Sequence, residues 1–422
     1  MRHATAFSLA VLTLVVAGLA ARSGTLLLLA LPFVFYLAAA LLAGPHRLDL
    51  KVTRTLAEER VRAEAPVTVR VTVTNRGPAV RELHLRDEIP IGLRVIEGEP
   101  ARLMSLAAGA ARTFTYAVAG PRGVYHFRTL RATAREPFDL VRRDAVIAVA
   151  ADLFAYQLPG ATLRRVDIRP RRTRVYSGTI AARAGGEGTD FYAVRNYRQG
   201  DPLRRINWKA SARRRDALFT NEFEQERVAD VGLILDARRA SNLPHGRRSL
   251  LDYSVEAAAV LADVLLNQGN RVALLTYGTL LDYTLPGYGK VQRKKIMDAL
   301  ARAQLGESQV FQELAALPTR LFPAQSQIVF ISPLLENDVP FLRRLRAFGY
   351  QVMLISPDPV GYEMARLGEK AGVDFAARLA RLERERLLRS LRQAGIFVLD
   401  WDVEEAFHEV AHARLRARPL RQ

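Results

Sequence analysis

The chain reads as a transmembrane helical hairpin, then a β-sandwich of immunoglobulin-like size, then an α/β domain built on a mostly parallel sheet. Three observations predict this. Ala4 to Ala21 and Ser23 to Gly44 carry no charged residue. From Leu48 to about Pro170 apolar and polar residues alternate with a period of two, and from Val228 onward apolar runs of strand length alternate with helical spacing. These patterns divide the chain into 1–47, two transmembrane helices; 48–170, the sandwich; 171–227, a linker and a dense charged segment; and 228–422, the α/β domain.

The hairpin rests on length. A bilayer core needs about 20 apolar residues as a helix, and each uncharged run meets that. Arg22, Ser23 and Gly24 between them form the turn. Gly18 to Ala21 also resembles a signal-peptide cleavage site, but the second apolar run argues against a released product. Arg2 flanks one end and Arg47, Lys51 and Arg54 the other, so the positive-inside rule places the large C-terminal part in the cytoplasm.

The sandwich rests on alternation. Val67, Val69, Val71 and Val73 alternate with Thr68, Arg70, Thr72 and Thr74 until Asn75-Arg76-Gly77-Pro78 breaks the run. Similar alternation recurs at Leu83 and Leu85, at Phe114, Tyr116 and Val118, and at Tyr125 and Phe127, with no catalytic constellation among them. Arg171 to Gly188 reads as a flexible linker. Its Gly185-Gly186-Glu187-Gly188 lacks the Lys-Ser/Thr of a phosphate-binding loop.

In the α/β domain, Val231–Asp236, Arg271–Tyr277, Gln327–Ser332, Gln351–Ser356 and Ile396–Trp401 read as strands. Ser249–Asn267, Gln292–Gln304, Val339–Phe348 and Val403–Arg416 read as helices, and the repeated alternation implies a parallel sheet covered on both faces.

Composition bounds the chemistry. A chain of 422 residues exceeds one core. It has no cysteine, which excludes disulfides, thiolate zinc sites and cysteine nucleophiles. The net charge is +19, and of 62 basic residues only six are lysine. Such a surface attracts nucleic acid and anionic lipid alike. Residues 164–227 hold sixteen Lys/Arg against eight Asp/Glu, with aromatics interleaved, so nucleic-acid or anionic-lipid binding there is one alternative. Carboxylates interrupt every basic run, which argues against a phosphate track.

The most informative stretch is Asp190 to Arg213, DFYAVRNYRQGDPLRRINWKASAR. Phe191 to Asn196 suits a strand, and Gly200-Asp201-Pro202 suits a turn with Asp201 capping a helix over Leu203–Ala212. That helix places Arg205, Trp208 and Lys209 together, and Ala217–Glu226 returns as a strand. Asp190, Arg195, Tyr197, Gly200, Asp201, Arg205, Asn207, Trp208 and Lys209 are the candidate interaction residues. One reading is a binding hot spot, since Trp and Arg dominate such sites. The other is an internal scaffold in which Asp190 and Asp201 pair with Arg195 and Arg205 while Trp208 fills core.

This stretch resembles the signature of the bacterial family called domain of unknown function 58, and the resemblance runs from about Asp190 to the C-terminus. It implies that the α/β domain is a Rossmann-like von Willebrand factor A-type domain. It also implies an inner-membrane protein with MoxR-type AAA+ ATPases and transglutaminase-like membrane proteins as partners in an envelope-related system. In von Willebrand A domains the first strand ends in Asp-x-Ser-x-Ser, whose oxygens help hold a divalent cation. Here Asp236 keeps the Asp, but Arg238 and Ala240 stand at the serines. The later Thr corresponds to Ser308, and the later Asp falls near Pro333. One carboxylate beside Arg238 and Arg239 cannot hold a hard cation, so Asp236 is expected to pair with an arginine at a degenerate metal-site position.

His408-Glu409-Val410-Ala411-His412 is an HExxH motif, which on a helix sets two imidazoles on one face. A zinc metallopeptidase is therefore a second alternative. Downstream, Ala413 to Gln422 supply no third ligand. The reading that follows is a membrane-anchored, non-enzymatic adaptor that binds protein partners, with no cofactor or metal.

Overall fold

The chain divides into two units, Met1–Tyr156 and Gln157–Gln422. The computed structural model describes residues 2–43, 48–135, 142–157, 163, 166, 173–214, 217–243, 248–278, 281–306, 322–367 and 373–415, with side chains outside the description at 2–6, 40–43, 173–190, 192, 223–227, 367 and 373.

Helices α1 (Arg2–Ala20) and α2 (Gly24–Ala43) pack through Phe7, whose ring centroid lies 6.2 Å from Phe33 and 5.5 Å from Tyr36. Among the described residues no helix is long and apolar enough to cross a membrane. This overturns the two-span transmembrane hairpin, and with it the inner-membrane localisation and the charge-based orientation.

Among the described residues of the first unit, nine strands follow: β1 (Leu50–Leu56), β2 (Arg60–Arg62), β3 (Val67–Asn75), β4 (Val80–Asp87), β5 (Arg94–Gly98), β6 (Ala101–Leu106), β7 (Ala111–Ala119), β8 (Gly123–Arg135) and β9 (Arg142–Tyr156). One sheet has the order β1-β3-β7-β5 and is antiparallel; the other has the order β2-β9-β8-β4-β6. The second sheet is mixed, because β2 runs parallel to β9. The immunoglobulin-like sandwich expected over 48–170 is therefore corrected to a strand-rich unit with mixed sheets. Period-two alternation establishes that each strand buries one face, but it carries no information on strand order or direction. Val67, Val69, Val71 and Val73 share a core with Leu83, Leu85, Phe127 and Leu130.

One buried ion pair stands in that unit. Arg54 Nε donates to Asp87 Oδ2 at 3.0 Å, Nη2 donates to Asp87 Oδ1, and both side chains are fully buried. Tyr116 also donates to Asp87, at 2.6 Å, and burial together with that carboxylate pushes its phenol pKa up.

The second unit begins with β10 (Thr173–Asn196) and β11 (Phe219–Asp236), an antiparallel ribbon. The segment read as a linker is thus strand backbone. Register shifts at Ala182/Gly185 and Gly186/Phe191 place irregularities at its glycines. Beyond the ribbon, β11 continues without a break as a central strand of the parallel sheet. The remaining elements are α3 (Trp208–Ser211), α4 (Leu250–Asn267), β12 (Arg271–Tyr277), β13 (Leu281–Gly287), α5 (Gly289–Arg302), β14 (Gln327–Ile331), α6 (Val339–Ala347), β15 (Gln351–Pro357), α7 (Pro359–Leu367), α8 (Val373–Gln393), β16 (Phe397–Trp401) and α9 (Phe407–Leu415).

The strand order is β13-β12-β11-β14-β15-β16. All neighbours are parallel except β13, an antiparallel edge. Local chemistry starts α4: Ser249 caps it and Asp252 returns the bond to the Ser249 N–H, a capping box. Close packing fixes Gly232 on β11, where a Cβ would stand 2.4 Å from the Phe322 ring. The order reverses at β11, so the carboxyl ends of β11 and β14 flank the crevice where open α/β sheets bind ligands.

Replacing Arg54 with Ala strands a buried carboxylate and should cost about 3–5 kcal/mol, whereas Arg54→Met combined with Asp87→Leu should recover most of the loss. Hydrogen exchange of the β3 and β7 amides reads both effects, and equal protection in wild type and Arg54→Ala would refute the assignment.

Candidate functional site

The crevice at the strand reversal is filled by an arginine. Asp236, the last residue of β11, is fully buried, and Arg238 two residues on turns back over it. Arg238 Nε donates to Asp236 Oδ1 at 2.9 Å and Nη2 donates to Asp236 Oδ2 at 2.8 Å. The other side of the fork reaches Asp338, just ahead of α6: Nη1 to Oδ1 at 2.9 Å and Nη2 to Oδ2 at 2.7 Å. Ser332, just after β14, donates its hydroxyl to Asp236 Oδ2 at 2.7 Å. The Leu335 N–H donates to Asp338 Oδ2 at 2.9 Å. Asn242 closes the back by donating to the Asp236 and Arg238 carbonyls, both at 3.0 Å.

Bidentate guanidinium–carboxylate pairs are strong and geometrically specific. Burial by itself lowers an arginine's pKa, but the hydrogen bond and charge of Asp236, then those of Asp338, outweigh it and hold Arg238 protonated. Burial raises Asp338 above the usual carboxylate range, against the Arg238 bonds that lower it. Two carboxylates share one cation here. Two carboxylates and a hydroxyl are the oxygen donors a hard cation seeks. In this structure the guanidinium takes both carboxylates, and the hydroxyl donates to one of them.

Sequence reasoning singled out Asp236 and an arginine partner; the partner is Arg238. It missed Ser332 and Asp338. Asp338 lies a hundred positions beyond Arg238, in a Glu-Asn-Asp run that reads only as a helix start. Ser308 lies outside the described residues.

A second arginine covers the neighbouring strand ends. Arg384 of α8 donates to Asp400 Oδ1 at 2.5 Å, to Ser356 Oγ at 3.1 Å and to the Pro333 carbonyl at 2.8 Å.

The signature segment forms an appendage on the β10–β11 ribbon. Arg195 grips Asp201 through two bonds of 2.8 Å, and its Nε lies 3.4 Å from Glu222. Asp201 also accepts the Arg198 N–H at 2.8 Å, closing a turn in which Gly200 has φ +105. The Arg195 hydrogen bond, then the Arg198 N–H, pull the Asp201 pKa down to about 2, and Asp201 in turn raises that of Arg195.

The helix expected over Leu203–Ala212 is two short pieces. Leu203–Arg205 is a 3-10 turn, and extended Ile206 bridges to Thr220 before α3 begins. Asn207, not Asp201, caps α3, accepting the Ala210 N–H at 2.9 Å and donating to Asn221 at 2.7 Å. Ser211 accepts the Phe219 N–H at 2.9 Å, and the Asn207 and Tyr197 N–H groups donate to Phe219 and Leu218 at 2.8 Å each. These hydrogen bonds hold so short a segment because it cannot bury enough apolar surface to hold itself.

That frame leaves Trp208 at 67% exposure and Leu203 at 69%, with Phe191 and Leu218 also exposed. Trp208 is not core. Lys209 is exposed and Arg205 half-buried. The Asp190 side chain lies outside the described residues, so its pairing is not part of the frame. Much of the basic run 164–227 lies outside them too.

The HExxH residues sit on α9, whose Phe407, Val410, Ala411 and Leu415 face the core, with the Phe407 ring 4.8 Å from Trp401. His408 Nε2 lies 3.9 Å from Glu409, beyond hydrogen-bond reach. Among the described residues no group of three or more His, Asp or Glu is placed to hold a metal ion.

With this geometry in place, comparison with known proteins gives a family match over part of the chain. A model described as "Protein of unknown function DUF58" matches residues 193–378, which supports the resemblance drawn from the signature. "Uncharacterized protein YeaD" of Bacillus subtilis (strain 168) is 28% identical over 211 residues, 49% of this chain and 52% of that protein. The chain thus spans about half the length of that curated relative. Among solved structures, the CARDB domain of the PF1109 protein from Pyrococcus furiosus matches with 18% identity and a TM-score of 0.19, covering 26% of this chain and 93% of that one. A FixG-related protein from Vibrio parahaemolyticus matches with 9% identity and a TM-score of 0.18, covering 25% and 95%. Scores this low carry no argument.

Two outcomes test the site. Arg238→Ala leaves Asp236 and Asp338 buried together and should cost about 3–5 kcal/mol at neutral pH. A carboxyl whose folded pKa is raised stabilises while it is protonated and loses that contribution as pH rises through its folded value. The variant's deficit should therefore shrink toward acid pH, and thermal unfolding across pH with the same loss throughout would refute this. Asp201 follows the opposite sign. Its stabilisation is complete above the ordinary carboxylate value and fades as pH falls toward about 2, so its carboxyl carbon should titrate near 2 by NMR and return to the ordinary range in Arg195→Gln.

Proposed function

We propose that the chain is a non-enzymatic adaptor that binds a protein partner through the appendage. The observation that carries this is Trp208, two-thirds exposed on a segment whose backbone is fixed from several sides. A solvent-facing Trp costs the fold nothing to lose, yet it is the side chain that contributes most when a partner buries it. Exposed Arg198, Arg204 and Lys209 around it suit a partner with an acidic rim. We further read the second unit as a degenerate von Willebrand factor A-type domain. Its strand order and the position of Asp236 support that reading, with Arg238 standing in place of the bound cation.

The family resemblance supplies the class of partner: a MoxR-type AAA+ ATPase, with a transglutaminase-like protein in the same envelope-related system. The test is capture on the immobilised full chain of a MoxR-type ATPase from the same genome. Trp208→Ala together with Arg205→Ala should weaken capture about 30-fold, the equivalent of one hot-spot residue, without moving the unfolding midpoint. Undiminished capture by that variant would remove the appendage as the binding face.

A further inference from the structure

We propose that the α1–α2 hairpin is the interface of a homodimer, in which two hairpins pack face to face as a four-helix bundle. Within one copy the helices run antiparallel. The Phe7 ring meets Phe33 and Tyr36 near one end, and a Cβ on Gly18 would stand 3.0 Å from the Leu27 side chain at the other. Phe7, Val11 and Gly18 therefore mark the seam of α1 that faces α2, and Val11 on α1 and Ala30 on α2 are both buried.

Each helix carries a second seam that nothing in the same copy covers. On α1 it is Leu9, Leu12, Val16 and Leu19; on α2 it is Leu28, Leu31 and Phe35. All of these side chains are between 55% and 77% exposed. Their spacing alternates three and four residues, the pattern that seats the side chains of one helix between those of another. At about 100° per residue, both seams fall on the same side of the antiparallel hairpin.

Apolar surface left in water favours association in proportion to its area. At roughly 100 Å² for each side chain the face comes to about 700 Å², more than the roughly 300–600 Å² of the largest patch on a typical monomer. It is close to the roughly 800 Å² that each partner brings to a standard interface. A second copy is the occupant that fits. Ala4 to Ala21 and Ser23 to Gly44 hold no charged residue, so the face offers a foreign partner no charge to complement. The regular spacing suits helices, and a two-fold axis sets the face against one of the same length and shape. The inference rests on the hairpin alone and stands apart from the appendage.

Sedimentation equilibrium of the full chain without detergent should show a dimer that dissociates on dilution. Leu12→Gln combined with Leu31→Gln should weaken association about 100-fold or more, because both side chains are lost from each of two copies. Disulfide trapping supplies an independent readout. The chain has no cysteine, so a single introduced one can form a disulfide only between copies. Under mild oxidation at least one of Leu9→Cys, Leu12→Cys, Val16→Cys and Leu19→Cys should cross-link, whereas Val11→Cys, which faces the same copy, should not. A monomer at every concentration, or one soluble only with detergent bound to the hairpin, would overturn the proposal. So would a dimer that the double Gln variant leaves intact, no cross-link at any of the four outer positions, or cross-linking of Val11→Cys as fast as at those positions.

Discussion

The second unit depends on one guanidinium. Arg238 joins the end of β11 to the start of α6 across the point where the strand order reverses, and four hydrogen bonds from its guanidinium meet two fully buried carboxylates. Neither carboxylate could be buried alone, because desolvating an unpaired charge costs several kcal/mol. The partners come from three separate chain segments: Asp236 with Arg238, Ser332, and Asp338. The network therefore ties β11, β14 and α6 together at a buried junction. In most open α/β sheets that junction is left free for a ligand. Here it is spent on internal neutralisation, and Arg384 does the same beside it for β15 and β16.

That arrangement moves the place for recognition away from the sheet's carboxyl edge. β11 is 18 residues long and serves two structures at once, its first part in the ribbon with β10 and its last part in the parallel sheet. The appendage carrying Trp208 is cross-linked to the first part and Arg238 closes the last. An uninterrupted strand makes the direction of the appendage a property of the sheet, so Trp208 is presented on a rigid support, which lowers the ordering cost of binding.

Legibility in the sequence followed the kind of physics that fixes each element. Arg271–Tyr277 was readable to the residue because a strand buried on both faces is a continuous apolar run. Ser249 marked the start of α4 because capping chemistry is local. By contrast, α8 went unread: it is rich in Arg and Glu and holds the core mainly through Leu388 and Leu391, so its apolar signal is thin. The edge strand β13 is largely half-exposed and carries Pro286, which blurs its period. The strand-rich unit defeated prediction differently. Its valines showed which faces are buried, but the parallel step from β2 to β9 pairs residues nearly a hundred positions apart. The candidate site divides in the same way. Asp201 could be seen to want an arginine six residues away, but nothing near Asp338 shows that it meets Arg238.

The two halves of the candidate site also differ in what they can do as moving parts. Coupling between distant sites requires an element with two discrete arrangements that both sites bias. Arg238 is a poor choice for that element. Releasing it from either carboxylate would leave a buried charge unpaired, and no neighbouring water-filled space is needed to satisfy it in the closed form. The Arg195–Asp201 pair is different: it is partly exposed, its loss leaves both charges solvated, and it closes a single turn. If a partner remodels this protein, the physically inexpensive place to do so is the turn from Arg198 to Asp201, while Trp208 and the arginine-locked sheet stay fixed.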